Sequence, residues 1–183
     1  CVDMLAAAGR RLHLGIMVGN RDFLLGQDLI SACHAHALQD PTVLKAWDQT
    51  LLLIHGDELC LSDTEYLKFR QNVRQPQWQA HFLGQPLAQR QAIARQMREA
   101  SQMHQKNQAS TAWADVDPVA ASAWMQACGA QTLIHGHTHH PATEPFGSGT
   151  RWVLSDWDLD HTTPHRAEVL RLTEQGFERI RLA

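Results

Sequence analysis

An α/β fold is predicted by two features of the sequence. Three short apolar runs each end at a loop where glycine stands beside a potential metal ligand, and the second and third are separated by a long stretch of mainly helical character.

Taken in order, residues 2–8 predict a helix, and residues 12–18 a short strand broken by His13 and Gly15 and stopped by Gly19-Asn20. Leu51-Leu52-Leu53-Ile54 predicts a buried strand that ends at His55-Gly56-Asp57. Residues 62–126 are mainly helical in character: over residues 90–100 the spacing puts Ile93 and Met97 on one face and Arg90, Arg95 and Arg98 mostly elsewhere. A further helix is expected after Asp117-Pro118, with Asp117 as N-cap and Pro118 in the first turn, running to Ala127 before Gly129 ends it. Thr132-Leu133-Ile134 predicts the third buried strand, ending at His135-Gly136-His137. The tail alternates as strands over residues 152–154, 167–172 and 177–182. In layered α/β folds ligand sites gather where strand ends meet loops, so the three loops are expected to converge on one site.

The bulk properties bound what that site serves. A length of 183 residues, 44% of them apolar and 19% charged, is enough for one domain with a sizeable core, expected over residues 1–183. Sixteen Lys and Arg against nineteen Asp and Glu give a formal charge of -3, which disfavours nucleic acid as a partner for the whole molecule and makes any attraction to phosphate local. Cys1, Cys33, Cys60 and Cys128 form no C-x-x-C pair, so neither a disulfide framework nor a thiolate zinc site is supported, and a reducing compartment is expected. With no apolar run of membrane-spanning length and no signal-peptide layout at the start, the expected location is cytoplasmic or on a membrane surface. The first residue is Cys, not Met, and a fragment or processed product is expected.

Twelve histidines is a high count for this length, and four of them fall within His135-Gly136-His137-Thr138-His139-His140. His137 and His139 offer two imidazoles two residues apart, with Gly136 letting the turn pass close to an ion; a His-rich surface turn is the alternative. In Gly19-Asn20-Arg21-Asp22 an amide oxygen suits a hard cation, a guanidinium grips phosphate bidentately and a carboxylate orients either neighbour, although the motif alone reads equally as a polar turn. His55 at a strand end is, by itself, more often a hydrogen-bonded structural residue. Three such strand-end motifs in one small domain favour a shared hard-metal site.

In chain order, G-N-R-D, H-G-D and G-H-T-H resemble the later motifs of the calcineurin-like metallophosphoesterases. More narrowly, V-G-N-R-D-F-L-L-G over residues 18–26, H-G-D-E-L-C over residues 55–60, Y-L-K-F-R over residues 66–70 and L-I-H-G-H-T-H-H-P-A over residues 133–142 resemble bacterial UDP-2,3-diacylglucosamine pyrophosphohydrolases. The resemblance implies an α/β fold of two β-sheets flanked by helices in four layers, with a helical cap insertion over about residues 64–112 that holds acyl chains. It implies two Mn2+ or other divalent cations, one ligated by Asn20, His55 and His137 and the other by His139. Arg21 matches a phosphate-gripping arginine, acting in catalysis with His137, and Asn20 and His137 also face the substrate. Asp63, Tyr66 and Ser101 match further substrate contacts; Gln105 and Gln108 stand loosely where the family has others, with Lys106 as a shifted positive charge.

The implied reaction is attack of water on the α-phosphorus of UDP-2,3-diacylglucosamine, releasing UMP and 2,3-diacylglucosamine 1-phosphate (lipid X) in lipid A synthesis. Arg21 would offset charge growing on the phosphoryl oxygens. Trp78, Phe82, Leu83, Leu87, Ile93 and Met97 would shelter acyl chains or touch the bilayer, or else pack between helices. The expected partners are the lipid substrate and the cytoplasmic face of the bacterial inner membrane, without nucleic acid or a protein partner. The family's opening D-x-H and G-D motifs do not precede Asn20, so the chain alone is expected to hold two metals poorly. The alternatives are a metallophosphoesterase for another nucleotide or phosphodiester, or an incomplete fragment that only binds metal or lipid.

Overall fold

The computed structural model describes residues 1–107, 114–161 and 163–183. The first expected helix is α1 (Val2–Gly9), and the run after it forms β1 (Leu14–Met17). A short helix α2 (Gln27–Ala32) then leads to β2 (Ala35–Leu38), which pairs with β1 in parallel, Leu14 opposite Ala35 and Met17 opposite Leu38.

The next strands, β3 (Thr42–Ala46) and β4 (Gln49–Ile54), are antiparallel across a turn in which Trp47 has φ 51°. A 3-10 turn (Asp57–Leu59) follows β4. Three helices come next, α3 (Thr64–Val73), α4 (Pro76–Leu83) and α5 (Leu87–Asn107). They are followed by α6 (Pro118–Cys128), whose ends match the reading of its sequence: Asp117 Oδ1 accepts from the Ala120 N–H at 2.8 Å, and Gly129 closes the helix at φ 67°. Five strands complete the chain: β5 (Thr132–His135), β6 (Ala142–Phe146), β7 (Gly149–Val153), and the hairpin of β8 (Glu168–Thr173) with β9 (Gly176–Arg181).

The central sheet has the order β3-β4-β5-β7-β6, with β4, β5 and β7 parallel and the two edge strands antiparallel. Parallel strands covered on both faces read as continuous apolar runs, and Leu51, Leu52, Leu133 and Val153 are all 2% exposed or less. Ile54 lies opposite His135, and His135 opposite Val153, so the chain leaves β4, β5 and β7 on the same edge of the sheet. Arg179 ties the final hairpin to this sheet: its guanidinium donates to the carbonyls of Ala142 and Val153, each at 2.6 Å, and sits over the Trp152 ring at 5.5 Å.

The chain divides into two compact units, residues 1–60 with 116–183, and residues 61–115. Within the second, one expectation is corrected and one open alternative is decided for two residues. Arg90 was placed mostly apart from Ile93 and Met97, yet all three are half-buried on α5, because positions i, i+3 and i+7 of a helix share a face. Trp78 and Phe82, one turn apart on α4, stack with ring centroids 5.1 Å apart, and Phe82 is buried, so this pair is helix packing, whereas Leu83 and Leu87 are exposed.

Candidate functional site

The loop after β1 reaches the end of β4 through a missing side chain. Gly19 is buried, and a Cβ there would stand 2.6 Å from Cε1 and 2.9 Å from Nδ1 of His55, so only glycine lets this backbone lie against the imidazole. The Asn20 N–H donates to His55 Nε2 at 3.3 Å. Asp22 closes the turn by accepting the Gly19 N–H on Oδ1 at 2.5 Å, a bond to the backbone and not to the Asn20 or Arg21 side chain. Arg21 is exposed beside Asn20.

His55 sits where β4 ends, its own N–H donating to Asp40 Oδ1 at 3.2 Å. Gly56 has φ 111°, a conformation glycine alone adopts readily, and a Cβ there would stand 3.1 Å from Nδ1 of fully buried His135. The His135 Nδ1–H donates to the Gly136 carbonyl at 2.9 Å, which fixes that ring as a structural neighbour of the loop. The His137 ring meets the His55 ring edge to face, with centroids 5.1 Å apart and planes at 66°.

Backbone strain marks the same loop. His137 and His139 have φ 63° and 56°, left-handed values uncommon outside glycine, and such residues cluster at functional sites, where each costs on the order of 1–3 kcal/mol. Thr138 between them is buried, and its hydroxyl has no hydrogen-bond partner among the described residues.

Electrostatics favour neutral imidazole. Burial pushes the His137 pKa down to about 4, helped by the neighbouring positive charges of His55, His139 and His135, while the Asp57 carboxylate acts in the opposite sense. A metal-ligating histidine must be unprotonated, and His137 meets that condition at neutral pH. Among the described residues no three His, Cys, Asp or Glu side chains group around one point as a ready metal cage. The set that does converge is two imidazoles and an amide-bearing turn, His55, His137 and Asn20, with His139 close enough for its charge to act on His137. Those nitrogen and oxygen donors suit one divalent cation of borderline to hard character.

The other anticipated residues belong to the helical unit. Asp63 caps α3, its Oδ1 accepting the Tyr66 N–H at 3.1 Å. The Tyr66 ring tilts against Phe69 with centroids 6.3 Å apart, and Ser101 is half-buried on α5. Gln108 lies outside the described residues, as do the side chains of Gln105 and Lys106.

Two acidic residues were not singled out as site residues. Asp57, which entered only as the last residue of the H-G-D motif, is fully buried and its charge acts on His137. Asp156 follows β7 at the same edge of the sheet, with Oδ2 3.7 Å from His139 Nδ1. Arg166 grips both its oxygens, Nε to Oδ1 at 3.1 Å and Nη2 to Oδ2 at 2.8 Å, and this guanidinium holds the Asp156 carboxyl below the usual carboxylate range. The signal for Asp156 was its place just past a strand, unaccompanied by the glycine or histidine that marked the other loops.

The chain is 44% identical over 179 residues to the UDP-2,3-diacylglucosamine hydrolase of Bordetella pertussis, covering 94% of this chain and 68% of that protein. It is 46% identical over 144 residues to the protein of that name from Chromobacterium violaceum, covering 79% of this chain and 61% of the relative. Against the Chromohalobacter salexigens protein of the same name it is 41% identical over 181 residues, covering 97% and 70%. No family model matches the chain. Among solved structures, a Vps29 single mutant from Entamoeba histolytica aligns with 99% of this chain and 89% of its own at 12% identity and a TM-score of 0.39.

Proposed function

We propose, because this chain belongs to the UDP-2,3-diacylglucosamine hydrolase family, that its strand-end loops carry the greater part of a divalent-metal site hydrolysing the pyrophosphate of UDP-2,3-diacylglucosamine. The observation that carries this reading is the meeting of three loops distant in sequence: the Asn20 turn bonds His55, and His55 meets His137 ring to ring. Asn20, His55 and His137 would hold a divalent cation, manganese by the family resemblance, which would supply charge neutralisation on the pyrophosphate and a lowered pKa for a water.

The chain's own residues have separate tasks. His137 offers a neutral nitrogen donor, which burial secures, while His55 offers a second imidazole and Asn20 its amide oxygen. Arg21, exposed beside Asn20, is free to grip phosphoryl oxygens bidentately and offset charge that grows on them as the α-phosphorus is attacked. His139 serves a second cation. The products are UMP and 2,3-diacylglucosamine 1-phosphate.

Within the helical unit, Asp63, Tyr66, Ser101, Gln105 and Gln108 are assigned to the substrate by the resemblance. Acyl chains and the membrane surface fall to exposed apolar side chains such as Leu83 and Leu87, 46% and 60% exposed. By the family resemblance the work falls at the cytoplasmic face of the inner membrane.

The test is Mn2+-dependent UMP release from UDP-2,3-diacylglucosamine, by the chain as given and by one extended upstream with D-x-H and G-D motifs. Activity in the extended chain, and its loss on chelation, is expected; hydrolysis of a soluble nucleotide ester in preference to the lipid would transfer the site to another substrate.

A further inference from the structure

We propose that Asp156, held by Arg166, is a positioning residue that fixes the ring of His139; the proposal rests on the reading of His139 as a metal ligand. The side chain of His139 is 63% exposed and sits on a loop, so packing alone leaves its ring free to turn. Asp156 is the carboxylate that faces this ring: its Oδ2 lies 3.7 Å from His139 Nδ1, just beyond direct hydrogen-bond length, and its own side chain is only 17% exposed. Both oxygens of that carboxylate are engaged by the Arg166 fork at 3.1 and 2.8 Å, which sets its plane.

Arg166 is anchored in turn. Its N–H donates to the Asp158 carbonyl at 2.9 Å and its carbonyl accepts from the Asp158 N–H at 2.8 Å, so a backbone bridge across the loop after β7 holds the guanidinium opposite Asp156. The result is a chain of contacts from a loop bridge through a bidentate ion pair to one imidazole. A carboxylate facing Nδ1 selects the tautomer with the proton on Nδ1 and leaves the Nε2 lone pair for a metal. An exposed ion pair by itself contributes little to stability, so Asp156 and Arg166 would have small effects on melting if ring placement is their task.

The experiment uses the full-length protein with Mn2+ alone as ligand. In metal-free protein, long-range proton–nitrogen NMR reads the His139 tautomer, and calorimetric titration reads Mn2+ affinity for Asp156→Asn, Arg166→Lys, His139→Ala and the Asp156→Asn, His139→Ala double variant. The expected result is a tautomer with the proton on Nδ1 that shifts toward Nε2 in Asp156→Asn, with a roughly 10–100-fold loss of Mn2+ affinity. That loss should disappear when His139 is already alanine, and Arg166→Lys should fall between wild type and Asp156→Asn. An unchanged tautomer overturns the proposal, as does an equal affinity loss with or without His139. Failure of the unsubstituted protein to bind Mn2+ would instead count against the metal reading, with the tautomer still deciding the Asp156–His139 pair.

Discussion

Replacing Gly19 with alanine adds a single methyl group at the point where two of the site's loops touch. The new Cβ would lie 2.6 Å from His55 Cε1, and reaching the 3.4 Å of ordinary contact requires the imidazole or the turn to move by about 0.8 Å. The 3.3 Å bond from the Asn20 N–H to His55 Nε2 lies directly beside this contact and would be lost or bent. Overpacking of this kind costs about 1–3 kcal/mol, and the broken hydrogen bond about 0.5–1.5 kcal/mol. A displacement near 1 Å at a reacting centre lowers turnover by as much as about 100-fold. Urea denaturation should therefore show a loss of roughly 1–3 kcal/mol, and UMP release at saturating lipid should fall by one to two orders of magnitude, with far-ultraviolet circular dichroism unchanged. Wild-type stability and turnover in Gly19→Ala would mean that the contact between Gly19 and His55 is absent in solution.

Three further outcomes follow from the same geometry. The folded pKa of His137, about 4, lies below its unfolded value of 6.5, so the neutral form is favoured by folding; this stability is complete above pH 6.5 and is lost as pH falls through that value toward 4. The loss amounts to at most roughly 3 kcal/mol, read as the difference in pH dependence of unfolding between wild type and His137→Gln. Leu133→Ala empties a fully buried position in β5 just before the histidine loop and should cost about 2–5 kcal/mol in urea denaturation. Asp117→Ala removes the α6 cap and should cost about 1 kcal/mol in the same assay, with Mn2+ affinity unchanged.

The parts of the fold that were legible in the sequence are those where one physical rule dominates. β4 and β5 are central parallel strands buried on both sides, which makes their residues a plain apolar run, and α6 carries Asp117, Pro118 and Gly129 at its ends. β3 and β6 escaped notice because both are edge strands: Val43 and Leu44 are exposed, and Pro145 stands inside β6, where only an edge tolerates it. Arg90 shares a face with Ile93 and Met97 despite its charge, because helical position and not side-chain type sets the face. In the site, Gly19 and Gly56 flagged the loops that hold Asn20 and His55, since close approach demands glycine at both, whereas Gly136, which led to His137, has room for a side chain, a Cβ there lying 3.9 Å from the His55 carbonyl oxygen. Asp156 was invisible for the opposite reason: its partner Arg166 comes ten residues later and is brought back by a backbone bridge that no local pattern announces.

The decisive measurement is release of UMP from UDP-2,3-diacylglucosamine by the full-length protein, with and without Mn2+ and in His55→Ala and His137→Ala. A metal site built on these two histidines gives metal-dependent release that falls at least about 100-fold in either variant, while both variants keep the wild-type circular dichroism. Hydrolysis that persists in both variants, or that needs no divalent cation, would contradict it.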